Sequence, residues 1–230
     1  MGVVGIIGGI GPESTIEYYR LIVASHLERA GDGGYPRILI NSVDMKKMLD
    51  LIGDHRLDEV TDYLAAEVER LSAAGADFAL LASNTPHIVF DRIREAASLP
   101  LISIVEAACE EALSRGLERV GLFGTRFTMQ GGFYQEVFSA RGLEVVVPGE
   151  ADQAYIHEKY MAELVRGIFR EETRNGLLEI ARGMVERERI EGLILGGTEL
   201  PLILKEDDAV EVPFLDTTRV HVESVMRWLL

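Results

Sequence analysis

Short, nearly uniform apolar runs alternate along this chain with longer segments whose apolar residues recur at helical spacing. The runs are Val3–Ile7, Arg37–Ser42, Phe78–Ala82, Leu101–Ile104, Arg119–Phe123, Glu144–Val147, Gly192–Leu195 and Val212–Leu215. Between them lie amphipathic patterns such as Leu57–Ala74, in which Val60, Leu64, Ala65, Val68 and Leu71 fall on one helical face. Strands buried on both faces read as continuous apolar runs, so the alternation predicts parallel sheets with helices on both sides. Ligands in such folds bind at the carboxyl ends of the strands. Pro12, followed by Glu13, Ser14 and Thr15, reads as a capped first helical turn. Gly31–Asp32–Gly33–Gly34 reads as a helix end and loop, and Gly75, Gly116 and Gly142 as helix C-caps. Thr217–Leu230 reads as a final amphipathic helix.

The two halves of the pattern repeat. Val4–Gly5–Ile6–Ile7–Gly8 returns as Val120–Gly121–Leu122–Phe123–Gly124, each leading to a tyrosine-bearing segment, Tyr18–Tyr19 and then Tyr134. Phe78–Ala79–Leu80–Leu81–Ala82–Ser83–Asn84–Thr85–Pro86 returns as Gly192–Leu193–Ile194–Leu195–Gly196–Gly197–Thr198–Glu199. The offsets are 116 residues from Val4 to Val120 and 114 from Ser83 to Gly197. Two strand-end turns per half, in register, predict duplicated α/β lobes related by a pseudo-two-fold, with Ser83 and Gly197 facing a cleft from opposite sides. The expected division is residues 1–100 plus 216–230 for the first lobe and 101–215 for the second.

Composition narrows the partners. The chain has 230 residues, 47% hydrophobic and 27% charged, which suits a globular protein with a substantial core. No apolar run approaches the roughly 18–20 residues of a membrane span, and Val3–Ile10, lacking a basic leader and broken by glycines, reads as strand and loop rather than signal peptide. A formal charge of −15 argues against nucleic acid or an anionic membrane. The one cysteine fits a reducing cytoplasm. Five scattered histidines offer no close-spaced metal set, so no metal is expected.

Three turns carry candidate chemistry. Gly8–Gly9–Ile10–Gly11–Pro12 opens a helix after a buried strand, so the backbone N–H groups of Gly9, Ile10 and Gly11 could hold an anion. It lacks the spacing of a dinucleotide fingerprint or a P-loop; the plain alternative is a tight strand-to-helix turn. Ser83–Asn84–Thr85 and Gly197–Thr198–Glu199 offer hydroxyl and amide groups that could hold a carboxylate, the plain alternative being helix N-capping.

Gly8–Gly9–Ile10–Gly11–Pro12–Glu13–Ser14–Thr15, Ser83–Asn84–Thr85–Pro86–His87, Gly124–Thr125 with Thr128, and Leu195–Gly196–Gly197–Thr198–Glu199–Leu200–Pro201 together resemble the aspartate/glutamate racemase family, over essentially the whole chain. The resemblance implies α-proton transfer on a small acidic amino acid without pyridoxal phosphate, and a homodimer. It places one catalytic cysteine per lobe, at the positions of Ser83 and Gly197 here, and matches Asn84, Thr85 and Thr198 to carboxylate binders. A basic residue near Arg166 is implied as another carboxylate contact; Lys46 and Lys47 are further candidates, with ordinary surface lysines as the alternative.

Both thiol positions depart from the family. A serine hydroxyl is several units more basic than a thiol, and each unit is about 1.4 kcal/mol. Ser83 therefore needs an adjacent base, and Gly197 has no group to offer. His87, four residues on, could approach Ser83, its alternative being a capping or packed histidine. Glu199 could serve as acid or base, or position the ligand. The space at Gly197 could admit a relaying water. Cys109, on the apolar face of Val105, Ala108 and Ala112, reads as core. Three expectations follow: an isomerase using Ser83 with a non-thiol partner, a carboxylate-binding protein without turnover, or altered chemistry such as decarboxylation.

Overall fold

A computed structural model describes the chain except Met1, Asp32, Asp207 and Ala209. Asp32 of the expected glycine loop thus lies outside the described residues. Contacts divide the chain into two units, Met1–Ile104 with His221–Leu230, and Val105–Val220.

The first unit runs β1 (Val3–Gly8), α1 (Pro12–Ala30), β2 (Arg37–Ser42), α2 (Met45–Gly53), α3 (Leu57–Ala73), β3 (Phe78–Leu81), a 3-10 turn (Thr85–Val89), α4 (Phe90–Ala96) and β4 (Leu101–Ile102). The helix α5 (Ile104–Ser114) leads into the second unit. There follow β5 (Arg119–Gly124), α6 (Arg126–Gln130), α7 (Phe133–Ser139), β6 (Glu144–Val146), α8 (Glu150–Ala162), a 3-10 turn (Leu164–Arg166), α9 (Glu171–Glu188), β7 (Gly192–Gly196), α10 (Leu200–Ile203), β8 (Phe214–Asp216) and α11 (Thr217–Leu229). The expected α/β class is what is found: two four-stranded parallel sheets, ordered β2-β1-β3-β4 and β6-β5-β7-β8.

The duplication is visible in hydrogen-bond register. Val4 pairs with Phe78 and Ile7 with Leu81, while Val120 pairs with Gly192 and Phe123 with Leu195. Tyr18 and Tyr134, 116 residues apart, are both fully buried. One core gathers Val4, Ile6, Tyr18, Leu80, Val222 and Val225; the other gathers Phe123, Ile156, Tyr160, Leu177, Leu193 and Leu195. The central strands β1, β3, β5 and β7 are almost entirely buried, whereas edge strand β2 alternates toward exposure. Central strands are covered on both faces, which is why their apolar runs lack a period of two.

Some expected boundaries move. β4 pairs with β3, so residues 101–102 join the first sheet rather than opening the second lobe. β8 begins at Phe214 because only Phe214–Asp216 find partners on β7. Gly75, Gly116 and Gly142 take left-handed φ values of 93°, 69° and 81° at helix ends, as expected.

Candidate active site

In the first unit, two strand-end segments are tied to α1 by its side chains. Thr15 Oγ1 accepts the Gly9 N–H at 2.9 Å, and Ser14 Oγ donates to the Ala82 carbonyl at 2.6 Å. The expected side-chain cap at the start of α1 is therefore absent. Gly11 flanks the helix with no side-chain hydrogen bond, and the two hydroxyls brace the turns at residues 9 and 82 instead. Gly9 has φ +79°, and a Cβ there would stand 2.8 Å from the Val43 backbone nitrogen. Ile10 is buried beside it, next to Gly11 with φ +88°. The Gly9 N–H is thus occupied by Thr15, which leaves a loop built first for a close strand-to-helix turn.

Ser83, Asn84 and Thr85 follow β3 and are buried. Asn84 flanks the 3-10 turn with no side-chain cap hydrogen bond, so N-capping does not account for its amide. His87 is packed: it stacks on Phe90 with ring centroids 4.5 Å apart, and its Nε2 accepts the Ile104 N–H at 3.3 Å at the start of α5. Burial, with a smaller contribution from His221, holds its imidazole well below the ordinary histidine value. A neutral ring whose Nε2 serves Ile104 is not arranged as the base for the Ser83 hydroxyl.

In the second unit Thr125 does cap, accepting the Thr128 N–H at 3.3 Å. The turn after β7 is different. Glu199 flanks α10 with no side-chain cap hydrogen bond. Its Oε2 accepts the Thr198 hydroxyl at 3.0 Å and also the phenol of Tyr160, which projects from α8. Tyr160, Thr198 and Glu199 are all buried. Burial, then the charge and hydrogen bond of Glu199, hold the Tyr160 phenol well above the ordinary tyrosine value, so its proton stays in place.

Tyr160 also corrects the expectation of open space at Gly197. A Cβ at 197 would overlap the ring at Cε2, standing 2.8 Å from the phenolic oxygen and 2.9 Å from Cζ. The volume is filled by an aromatic ring, not left for a water. Gly197 is absent from the residues with positive φ, so glycine is needed there for room rather than for backbone conformation. Sequence reading missed Tyr160, although Gln153, Ile156 and Tyr160 form the buried face of α8 and a buried tyrosine requires a partner for its hydroxyl.

The basic candidates differ. Lys46 pairs with Asp50 at 2.5 Å, and Lys47 lies 3.9 Å over the Tyr63 ring, both exposed on α2. Arg166 is exposed at the end of its 3-10 turn and has no ion-pair partner among the described residues. Cys109 is 1% exposed, and burial pushes its thiol up, which suits core rather than a nucleophile.

The Asp/Glu/Hydantoin racemase family model matches residues 7–225. The chain is 34% identical to PH1733, an aspartate racemase homologue from Pyrococcus horikoshii OT3; the match covers 100% of this chain and 99% of that one, with a TM-score of 0.85. The aspartate racemase of Picrophilus torridus has the same fold, with a TM-score of 0.82 at 21% identity over 100% and 94% of the two chains. In sequence, the chain is 30% identical over 154 residues to the broad specificity amino-acid racemase RacX of Bacillus subtilis (strain 168), covering 66% of each protein, just under two thirds of that relative's length. With the family match running through both strand-end clusters, the chain belongs to the Asp/Glu/hydantoin racemase family.

Proposed function

We propose that this chain is a cofactor-independent isomerase of a small acidic amino acid, aspartate or glutamate, acting by α-proton transfer. The observation that carries the reading is chemical. At the turns after β3 and β7, the amide of Asn84 and the carboxylate of Glu199 are buried without capping the helices that follow. Buried polar groups not required by secondary structure are where ligand recognition is expected. In this reading Asn84, Thr85 and Thr198 hold carboxylate oxygens, Arg166 supplies the cationic contact, and Ser83 stands at a proton-transfer position. Removal of an α-proton leaves an electron pair that spreads into the adjacent carboxylate, so donors to that carboxylate stabilise the developing charge.

A second reading is favoured by one observation. The His87 Nε2 serves Ile104, leaving Ser83 without the histidine partner that would activate it. A carboxylate-binding protein without turnover, or one with altered chemistry such as decarboxylation, needs no such base.

The test is incubation with L- and D-aspartate and L- and D-glutamate in deuterated water, following the α-proton by NMR. Exchange with inversion supports the isomerase. Binding with no exchange for any of the four supports the non-racemising reading and sinks the first. The resemblance also supports a homodimer, which sedimentation equilibrium would check.

A further inference from the structure

We infer that His157 is a positioning residue for the turn after β7, its neutral ring latching α6 over the ends of β5 and β7 and releasing it when protonated. The inference rests on the carboxylate-binding reading of that turn, which both readings above share, and it concerns the second unit alone.

The strand ends and α6 are packed without slack. A Cβ at Gly124 would stand 2.8 Å from the Gly196 carbonyl oxygen and 2.9 Å from Thr128 Cβ, and one at Gly196 would stand 3.3 Å from Thr128 Cγ2. Thr128 of α6 therefore lies against the residue that leads into Gly197–Thr198–Glu199, so a shift of α6 is felt there. With 5 residues, α6 is too short to hold its place by its own hydrogen bonds. Two side chains of α8 hold it. Gln153 accepts the Gln130 amide at 2.9 Å at the far end of α6. His157 Nδ1 accepts the Arg126 N–H at 3.2 Å at its start, with the ring edge-on to Phe127. The first N–H groups of a helix find no partner inside it. Thr125 takes that of Thr128, and His157 takes that of Arg126.

The latch depends on the ring being neutral. Nδ1 accepts, so the ring's hydrogen is on Nε2, and a second proton would set two donors face to face at Arg126. Burial, and then the Arg126 guanidinium, hold the imidazole below the ordinary histidine value. The other elements against α8 leave that balance alone. β5 brings apolar residues and glycine from Val120 to Gly124, and Arg187 of α9 meets α8 at Asp152, on a different face. On α8 itself Glu158 is exposed, and Gln153, Ala154 and Met161, one turn away, carry no charge. Tyr160 keeps its proton. The latch is thus closed at neutral pH and opens as pH falls below the ordinary histidine value of about 6.5.

The test compares wild type, His157→Asn and His157→Leu from about pH 7.5 to about pH 5. Asparagine offers an oxygen acceptor near the place of Nδ1 and does not titrate; leucine offers none. Protection of the Arg126 amide from hydrogen exchange is followed by NMR, and calorimetry gives the affinity for L- and D-aspartate and glutamate. In wild type the amide is expected to lose protection, and affinity to fall by roughly 3- to 10-fold, as pH drops, about the worth of one hydrogen bond. H157N should hold both level, and H157L should show the low values at every pH. If H157L fails to fold, the contrast between the wild-type and H157N pH profiles decides. An Arg126 amide that stays protected in H157L, or in wild type at low pH, overturns the latch. Loss of protection with unchanged affinity overturns the positioning role while leaving carboxylate binding intact. If wild type binds none of the four amino acids, the carboxylate reading itself fails and the inference falls with it.

Discussion

Tyr18 and His221, 203 residues apart in sequence, share a 2.7 Å hydrogen bond inside the first unit, and neither side chain is exposed to solvent. The bond runs to His221 Nδ1, while Nε2 lies 2.9 Å from the Ile102 carbonyl. A carbonyl only accepts, so Nε2 carries the hydrogen and Nδ1 accepts the Tyr18 hydroxyl. This arrangement ties α1, β4 and α11 together around a neutral imidazole.

Burial pushes the His221 imidazole down to about 4, while the His87 imidazole nearby is also lowered. In the unfolded chain a histidine titrates near 6.5. Between pH 6.5 and 4 the unfolded state therefore binds a proton that the folded state refuses, and stability falls as pH is lowered through that window. The His221 share is on the order of 3 kcal/mol, from about 1.4 kcal/mol per unit. Urea titrations across pH 7 to 4 should show this loss, and His221→Gln should flatten it. An unchanged slope in H221Q would refute the assignment.

Gly197→Ala should destabilise the protein by about 1–3 kcal/mol through overpacking against the Tyr160 ring. Tyr160→Ala alone should cost more, about 3–5 kcal/mol, because it empties a core site. The Gly197→Ala penalty should shrink when measured in the Y160A background. Denaturant midpoints of the four proteins decide it: strict additivity would mean that the ring is not the obstacle.

Gly9→Ala should cost about 2–4 kcal/mol, combining a left-handed backbone with collision against backbone atoms at Val43. Gly31→Ala is the matched control. It has φ +66° but open space around its Cβ, so only the conformational cost of about 1 kcal/mol remains. Equal penalties at the two sites would show that the close approach at Gly9 contributes nothing.

Arg166→Ala should weaken binding of aspartate or glutamate by roughly 10- to 100-fold, the usual worth of a charge-assisted hydrogen bond, with little change in melting temperature. The side chain is exposed and has no ion-pair partner among the described residues, so its removal disturbs no packing. Calorimetric titration of the variant is the check, and unchanged affinity would remove Arg166 from the site.

Much of this was readable along the chain because the repeat is a local pattern. The apolar runs at Val4 and Val120, and at Phe78 and Gly192, occupy the same places in two sheets of identical strand order. Periodicity reports burial directly, so sheet class, duplication and strand-end turns could be read from spacing alone. The family followed from motifs at those turns. What spacing could not reveal was how side chains distant in sequence meet. Tyr160 lies 37 positions before Gly197, and nothing in that spacing names the partner of its hydroxyl. Only packing brought its ring over Gly197 and its hydroxyl to Glu199. His87, near Ser83 in sequence, was drawn away to Ile104 by the same packing. Hydrophobic pattern is written in single positions, but the partner of a buried polar group is chosen by the tertiary fold, because burial makes a nearby donor or acceptor obligatory without specifying which.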